Sequence, residues 1–466
     1  MKDIIIIGGG IIGTAIAQAL CKYELDILLI EKECECSFGV SKSNSGIIHT
    51  GFQSKYGSLS ATLAARGNQL YTDLSIDLDF PFRRIGELIV AHIDEKQQLE
   101  DLYKNGSLIG ISEMKIVDRE WLAIHEPNLS ETISFALLGS TAGITNPYEA
   151  CYAFFENAKA NNVQFNLSET VENISQLNER WEIRTNMSTY QTNFVINCAG
   201  LFADKVSQLA DIECETIFPR KGEELLLDRH VGELCKHIIF PLPKPNTKGI
   251  LIIPTIDHTT MIGPTAEVID DKEDLRTTTA SKDHIINSIK DLGPVIDPAT
   301  IITAFSGLRP ATKLGDFYIN EDRKGFINLI GIQSPGLTAA PAIGEFVTSI
   351  ISKNIKLTIK KTYISKRKSI PKIRDMSVSA KNTLIKKDSD FGTIICRCEE
   401  VTKGEILEAI RRGAKTLDGI KFRTRCQMGR CHGSFCTMKI MDIMHEELGI
   451  PYNEITKRGH DSYVTI

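Results

Sequence analysis

The chain has 466 residues, 42% hydrophobic and 24% charged, with a formal net charge of −5. That is about three typical domain lengths, so two or three domains with real cores are expected, and the acidic balance gives no basis for a nucleic-acid partner. Export is not expected, because Asp3 spoils a basic leader and Gly8, Gly9 and Gly10 interrupt the first apolar run.

No apolar run approaches the ~20 residues that cross a bilayer, so the expected location is the cytoplasm, with membrane contact only through a partner. In a reducing compartment, clustered cysteines point to metal or redox chemistry and scattered ones to small core residues. Cys21, Cys151, Cys198, Cys214 and Cys235 are scattered. The C-x-C at Cys34 and Cys36 has no second pair nearby in sequence and reads as a surface loop.

Residues 3–7, DIIII, suit a buried parallel strand, and the apolar spacing after them suits a helix. Between them lies Gly8-x-Gly10-x-x-Gly13. A second apolar strand follows, DILLIE, ending at Glu31, eighteen positions after Gly13. This is the βαβ setting in which glycines admit a pyrophosphate to a helix N-terminus and a carboxylate takes the ribose hydroxyls. An acid at that position disfavours a 2′-phosphate, which leaves FAD or NAD.

Further along, residues 39–52 (GVSKSNSGIIHTGF) place His49 among apolar neighbours. A lone histidine there is either a hydrogen-bonded core residue or a general base. Residues 326–347 read as a strand, a Gly-Pro turn and a helix of small residues whose positive N-terminus near Gly336 suits an anionic ring edge. Arg309, in FSGLRPAT, is the lone cation of its stretch and suits a bidentate grip on a carboxylate or phosphate, or a pairing with an acidic neighbour. Arg220 and Lys221 are weaker candidates for lining the same site. From about residue 353 to 388 the chain is dense in Lys and Ser and reads as a solvated connector.

Cys396 and Cys398 then precede a helix capped by Thr402 and closed by Gly413, with Cys426, Cys431 and Cys436 beyond it. Two close pairs of thiolates can hold zinc or a [2Fe-2S] centre, and spacing alone does not choose.

Taken together, these motifs, with VINCAGLFAD at 195–204, PRKGEELLLD at 219–228 and KGILIIPTIDHTTMIGPTAE at 248–267, resemble the FAD-dependent oxidoreductases of the D-amino-acid oxidase and glycerol-3-phosphate dehydrogenase type. The tail resembles the small [2Fe-2S] domain of bacterioferritin-associated ferredoxin, as fused to anaerobic glycerol-3-phosphate dehydrogenase large subunits. The resemblance implies an α/β fold: a Rossmann-type FAD-binding domain (1–80, 145–212 and 300–355), an inserted mixed β-sheet substrate domain (81–144 and 213–299), a basic linker (356–390) and a small helical [2Fe-2S] domain (391–466).

By the same resemblance FAD is held by Gly8, Gly10, Gly13, Glu31, Ser41, Ser45, Gly46, Ala199, Gly200, Gly307, Gly336, Leu337 and Thr338. The catalytic residues are His49 and Arg309. The cluster ligands are Cys396, Cys398, Cys431 and Cys436, with the replacement of Cys436 by Cys426 left open. The implied activity is oxidation of a secondary alcohol beside an anionic group, glycerol 3-phosphate first, with electrons leaving through the cluster to a partner subunit. A 2-hydroxy-acid or amino-acid oxidoreductase and an electron-relay subunit without a substrate of its own are the alternatives. Substrate anion, electron acceptor and oligomeric state stay open at this level.

Overall fold

The computed structural model describes residues 1–243 and 248–465. The chain folds as two compact units, one of residues 1–32 and 36–367, the other of residues 33–35 and 368–466.

The first unit is built on two large sheets. The eight-stranded sheet has the order Val171–Leu177, Arg180–Thr185, Thr189–Asn197, Lys2–Ile7, Ile27–Glu31, Gln164–Leu167, with Phe326–Ile330 also pairing Thr189–Asn197 and carrying Tyr318–Arg323. Lys2–Ile7 runs parallel to both of its neighbours. It is buried on both faces from Ile4 onward, which is why it reads as an unbroken isoleucine run rather than an alternation. On one face pack the helices Ile11–Leu20, Pro147–Ala160 and Gly336–Ser352; Ile16, Leu20, Ile343 and Val347 belong to the core beneath them. Gly344 allows one close approach, since a Cβ there would stand 2.9 Å from that of Ala19.

The second sheet is nine-stranded and mostly antiparallel, with an inner run of Phe218–Leu227, Thr260–Gly263, Leu251–Pro254, Ile238–Pro241 and Glu87–Ala91. Ile301–Ala311 pairs along the whole length of Phe218–Leu227. This corrects the expected boundary at 300, because a strand assigned to the FAD-binding part is integral to the substrate sheet. A small sheet of Ile47–Ile48, Gly143–Thr145 and Phe82–Arg84 fixes the segment that leads to His49.

In the second unit, four helices, Val378–Lys387, Lys403–Arg411, Leu417–Thr424 and Thr437–Leu448, accompany a short hairpin of Ile394–Cys396 and Val401–Thr402. Ile406, Leu407, Ile420, Ile440 and Met444 form its core. Thr402 caps Lys403–Arg411 with a reciprocal Glu405 box, and Gly413 follows the helix at φ +111°. The first of the four helices lies within the segment expected to be a plain connector. Ser377 caps it through Ala380 N–H, so local capping imposes order on a Lys-rich stretch with few apolar residues. Among the described residues no helix is long and apolar enough to cross a membrane.

Candidate active site and cysteine centre

The dinucleotide turn is shaped by absent side chains. A Cβ on Gly8 would stand 2.4 Å from the Cys198 carbonyl oxygen, and Gly8 sits at φ +111°, a region that favours glycine. A Cβ on Gly13 would overlap the Gly8 carbonyl oxygen at 2.0 Å. The helix beginning at Ile11 has no side-chain cap from Gly10; instead the Ser41 hydroxyl accepts from Ile11 N–H at 2.8 Å. Glu31 accepts from Gly9 N–H at 2.5 Å. Cys36 is buried, its sulfur 3.2 Å from the Cβ position of Gly9, so the expected surface loop is instead packed beneath this turn.

At the other flank, Thr338 Oγ1 accepts from His49 N–H at 2.9 Å and the Leu337 carbonyl accepts from Tyr71 at 2.6 Å. The start of the helix Gly336–Ser352 is thereby locked to the His49 segment. Gly46 (φ +66°) and Gly200 (φ +56°) occupy left-handed turns, and Ala199 N–H donates to Asn197 Oδ1 at 3.2 Å. The Gly8 and Gly13 cradle, together with buried polar atoms of Gln53, Arg220, Glu224 and Gln333 that have no hydrogen-bond partner among the described residues, fits a large polar cofactor such as FAD.

His49 is buried, its ring 5.7 Å from that of Phe240. Nδ1 lies 3.2 Å from Glu87 Oε2, while Glu87 Oε1 accepts from Thr50 N–H at 2.9 Å. Glu87 is fully buried. With Glu87 accepting the Nδ1 proton, Nε2 is left with its lone pair, 3.5 Å from Ser334 Oγ. Burial and the Lys248 ammonium hold His49 below its ordinary value of 6.5, with Glu87 opposing them, so at neutral pH it is a free base.

The strand Phe218–Leu227 carries Arg220 and Glu224 beside Arg309. Alternate residues of a strand point to opposite sides, and here the two sides do different work. Lys221 pairs with Asp274 at 3.4 Å and Glu223 accepts from Thr278 N–H and Ser281 Oγ. Arg220 and Glu224, on the other side, are electrostatically linked to Arg309. Of the two weaker candidates, then, Arg220 lies with Arg309 and Lys248, and Lys221 with Asp274.

Arg309, opposite Arg220 in register, donates to the Thr265 carbonyl at 2.9 Å. Its guanidinium passes over Gly222, where a Cβ would meet Nη2 at 2.2 Å. Burial and Arg220 push Arg309 down to about 10. Glu224 accepts from Ser45 Oγ at 2.7 Å and is pushed up to about 7 by burial. Gly307, beside Arg309, admits the Ser43 carbonyl, 2.0 Å from the position of a Cβ.

Sequence reasoning missed Glu87 and Lys248. Burial pushes the Lys248 ammonium down to about 8, Glu87 opposing and Arg309 and Arg220 adding to the fall. A carboxylate opening an otherwise apolar strand, ELIVA, was the available signal for Glu87; none marked Lys248.

In the second unit, Cys398 Sγ stands 3.4 Å from Cys431 Sγ, and Cys436 donates to Cys396, which it brings down to about 6. Cys426 is buried, and its thiol is pushed up to about 12. Among the described residues the thiols meet as two pairs, Cys398 with Cys431 and Cys396 with Cys436, and Cys396 also acts electrostatically on the other pair. Two thiolates per iron is the demand of a binuclear cluster, whereas structural zinc gathers four ligands on one centre. Gly429 gives the pair room, since its Cβ would stand 2.3 Å from that of Cys398.

A doubly sheeted α/β unit with a glycine cradle, a carboxylate-held histidine and converging cations defines a flavin-type oxidoreductase, and the paired thiols add an iron-sulfur module. Residues 3–350 match the family model of the FAD dependent oxidoreductases and residues 394–446 that of the BFD-like [2Fe-2S] binding domain; the chain belongs to the FAD-dependent oxidoreductase family and carries both cofactor-binding domains.

It is 42% identical, over 100% of its length and 98% of the relative's, to a glycerol 3-phosphate dehydrogenase of Caloramator mitchellensis. A glycerol 3-phosphate oxidase of Mycoplasma pneumoniae is 31% identical over 78% of this chain and 98% of its own. The structure of dithionite-reduced L-alpha-glycerophosphate oxidase from Mycoplasma pneumoniae with FAD bound superimposes with a TM-score of 0.74 at 30% identity, covering 79% of this chain and 98% of that one.

Proposed function

We propose that the chain oxidises the secondary hydroxyl of glycerol 3-phosphate to the ketone and releases the electrons singly, through its C-terminal unit, to a protein partner. The observation that carries the substrate choice is a chain of neighbouring cations, Arg220 and Arg309 acting on Lys248 and Lys248 acting on His49. Of the two carboxyls among them, Glu87 is engaged by His49 and Thr50 and Glu224 is pushed toward neutrality. The net positive charge that three cations leave after Glu87 offsets part of it suits a phosphate dianion better than a single carboxylate.

Bound FAD supplies a two-electron hydride acceptor, and a [2Fe-2S] group supplies single-electron transfer. The Gly8, Gly10 and Gly13 turn, with Glu31, would hold the dinucleotide; Cys396, Cys398, Cys431 and Cys436 would hold the iron. The protein does the rest. Arg309 and Arg220 grip the substrate phosphate, Lys248 adds charge, and His49 Nε2 takes the hydroxyl proton as the carbinol C–H bond breaks, its ring held by Glu87. The Mycoplasma pneumoniae oxidase matches almost all of its length to a share of this chain about the size of the first unit, which supports reading the second unit as an added electron exit.

The test is an anoxic titration of the purified chain. Glycerol 3-phosphate should bleach the flavin's visible absorption, with 2-hydroxyglutarate and amino acids far weaker. Bleaching by 2-hydroxyglutarate alone would reassign the substrate, and bleaching by none of them would leave the chain a relay subunit.

A further inference from the structure

Beside the paired thiols the second unit presents a surface that its own fold does not cover. Phe435 is 77% and Met438 58% exposed, three residues apart across the start of Thr437–Leu448. This surface is firmly held: Cys436 N–H and Thr437 N–H both donate to the Gly433 carbonyl at 3.0 and 2.9 Å, and Gln427 donates to Thr437 Oγ1 at 2.7 Å. The exposure of Phe435 therefore belongs to an ordered loop. The thiol pairs differ as well, Cys396 and Cys436 each being 1% exposed while Cys398 and Cys431 are half-buried. Next to the outer pair in sequence stand exposed Arg397 and Arg430, and next to Met438 stands exposed Lys439; the exposed carboxylates closest in sequence are Glu400 and Asp442, the latter taken up by the Tyr452 hydroxyl. A chain of net charge −5 thus frames this spot with cations.

We propose that Phe435 and Met438, rimmed by Arg397, Arg430 and Lys439, form the docking face for a small acidic one-electron carrier protein, seated against the Cys398–Cys431 pair. The inference rests on the reading of the chain as a dehydrogenase that releases single electrons. A small apolar centre with a charged rim matches a transient electron-transfer contact, in which opposite charge speeds encounter and a modest buried area permits release. Each alcohol oxidised to ketone yields two electrons and two protons; two oxidised carriers take one electron each and solvent takes the protons.

The probes are oxidised rubredoxin, a small acidic one-electron carrier, and cytochrome c as a basic counterpart, titrated calorimetrically into the FAD- and iron-loaded full chain. Rubredoxin should bind at low salt and weaken steeply as salt is added. Lys439→Glu and, separately, Phe435→Ala should each weaken that binding by about tenfold, with iron content, visible spectrum and flavin bleaching unchanged. Unchanged rubredoxin binding in both spectrally intact variants overturns the proposal. So does preference for cytochrome c, for vesicles of anionic phospholipid or for a second copy of the chain. A preparation without iron, or one that glycerol 3-phosphate does not bleach, refutes the underlying functional reading, and the docking face falls with it.

Discussion

The Glu87 carboxylate bridges Nδ1 of His49 and the backbone N–H of Thr50, at 3.2 and 2.9 Å, so the imidazole is fixed by a group that the sequence places 38 positions away. His49→Ala should lower kcat by about 10²- to 10⁴-fold, the usual worth of a positioned general base. Glu87 is a positioning residue, and because it raises the His49 pKa, Glu87→Gln should lower kcat and also move the acid limb of the pH–rate profile to lower pH. An unmoved limb would mean that Glu87 serves only the fold.

Lys248 gives the opposite limb. Its ammonium, pushed down to about 8 by burial, is charged below that pH and neutral above it. Substrate affinity should fall as pH rises through about 8, and Lys248→Met should raise KM at pH 7 and flatten the alkaline limb. Steady-state kinetics from pH 6 to 9.5 decides this.

Glu224 makes a prediction about stability. Burial raises it from 4.5 to about 7, so between those values the folded chain binds the proton that the unfolded chain has lost. Its contribution is most favourable below about 4.5 and declines as pH rises toward and through 7. Glu224→Gln, whose amide oxygen still accepts from Ser45, should raise Tm at pH 8 by about 3 °C or more, with a smaller gain at pH 5. Thermal melts of both proteins at the two pH values check the sign.

The cysteine pairing separates the two ligand sets. Cys426→Ser should retain iron and the reduced-state EPR signal, whereas Cys431→Ser or Cys436→Ser should lose both. Iron loss from Cys426→Ser with retention in Cys436→Ser would reverse the assignment.

The cofactor turn was legible because a pyrophosphate demands glycine at fixed offsets and each such glycine leaves its mark in one short stretch. The same holds for Thr402 and its Glu405 box, and for cysteines brought together by local helices. Glu87, Arg220 and Lys248 were not legible as a group. Their meeting depends on the register of Phe218–Leu227 against Ile301–Ala311 and on strands far apart in sequence, and neither is encoded within one window. The choice of Arg220 over Lys221 needed the phase of a strand, which two adjacent cations do not reveal. The boundary at 300 failed for the same reason, because Ile301–Ala311 is assigned by its partner rather than its composition.

That strand, Phe218–Leu227, serves two structures with alternate letters, Arg220 and Glu224 on the side of Arg309 and Lys221 and Glu223 fastening Asp274 and the Thr279–Ile289 helix. Gaining or losing a single codon here would transpose the two sides, sending the tethering Lys221 to the Arg309 side and Arg220 to the other. Divergence along this segment must therefore proceed by replacement at constant length, while indels are tolerated elsewhere, in surface loops that carry no such double reading frame.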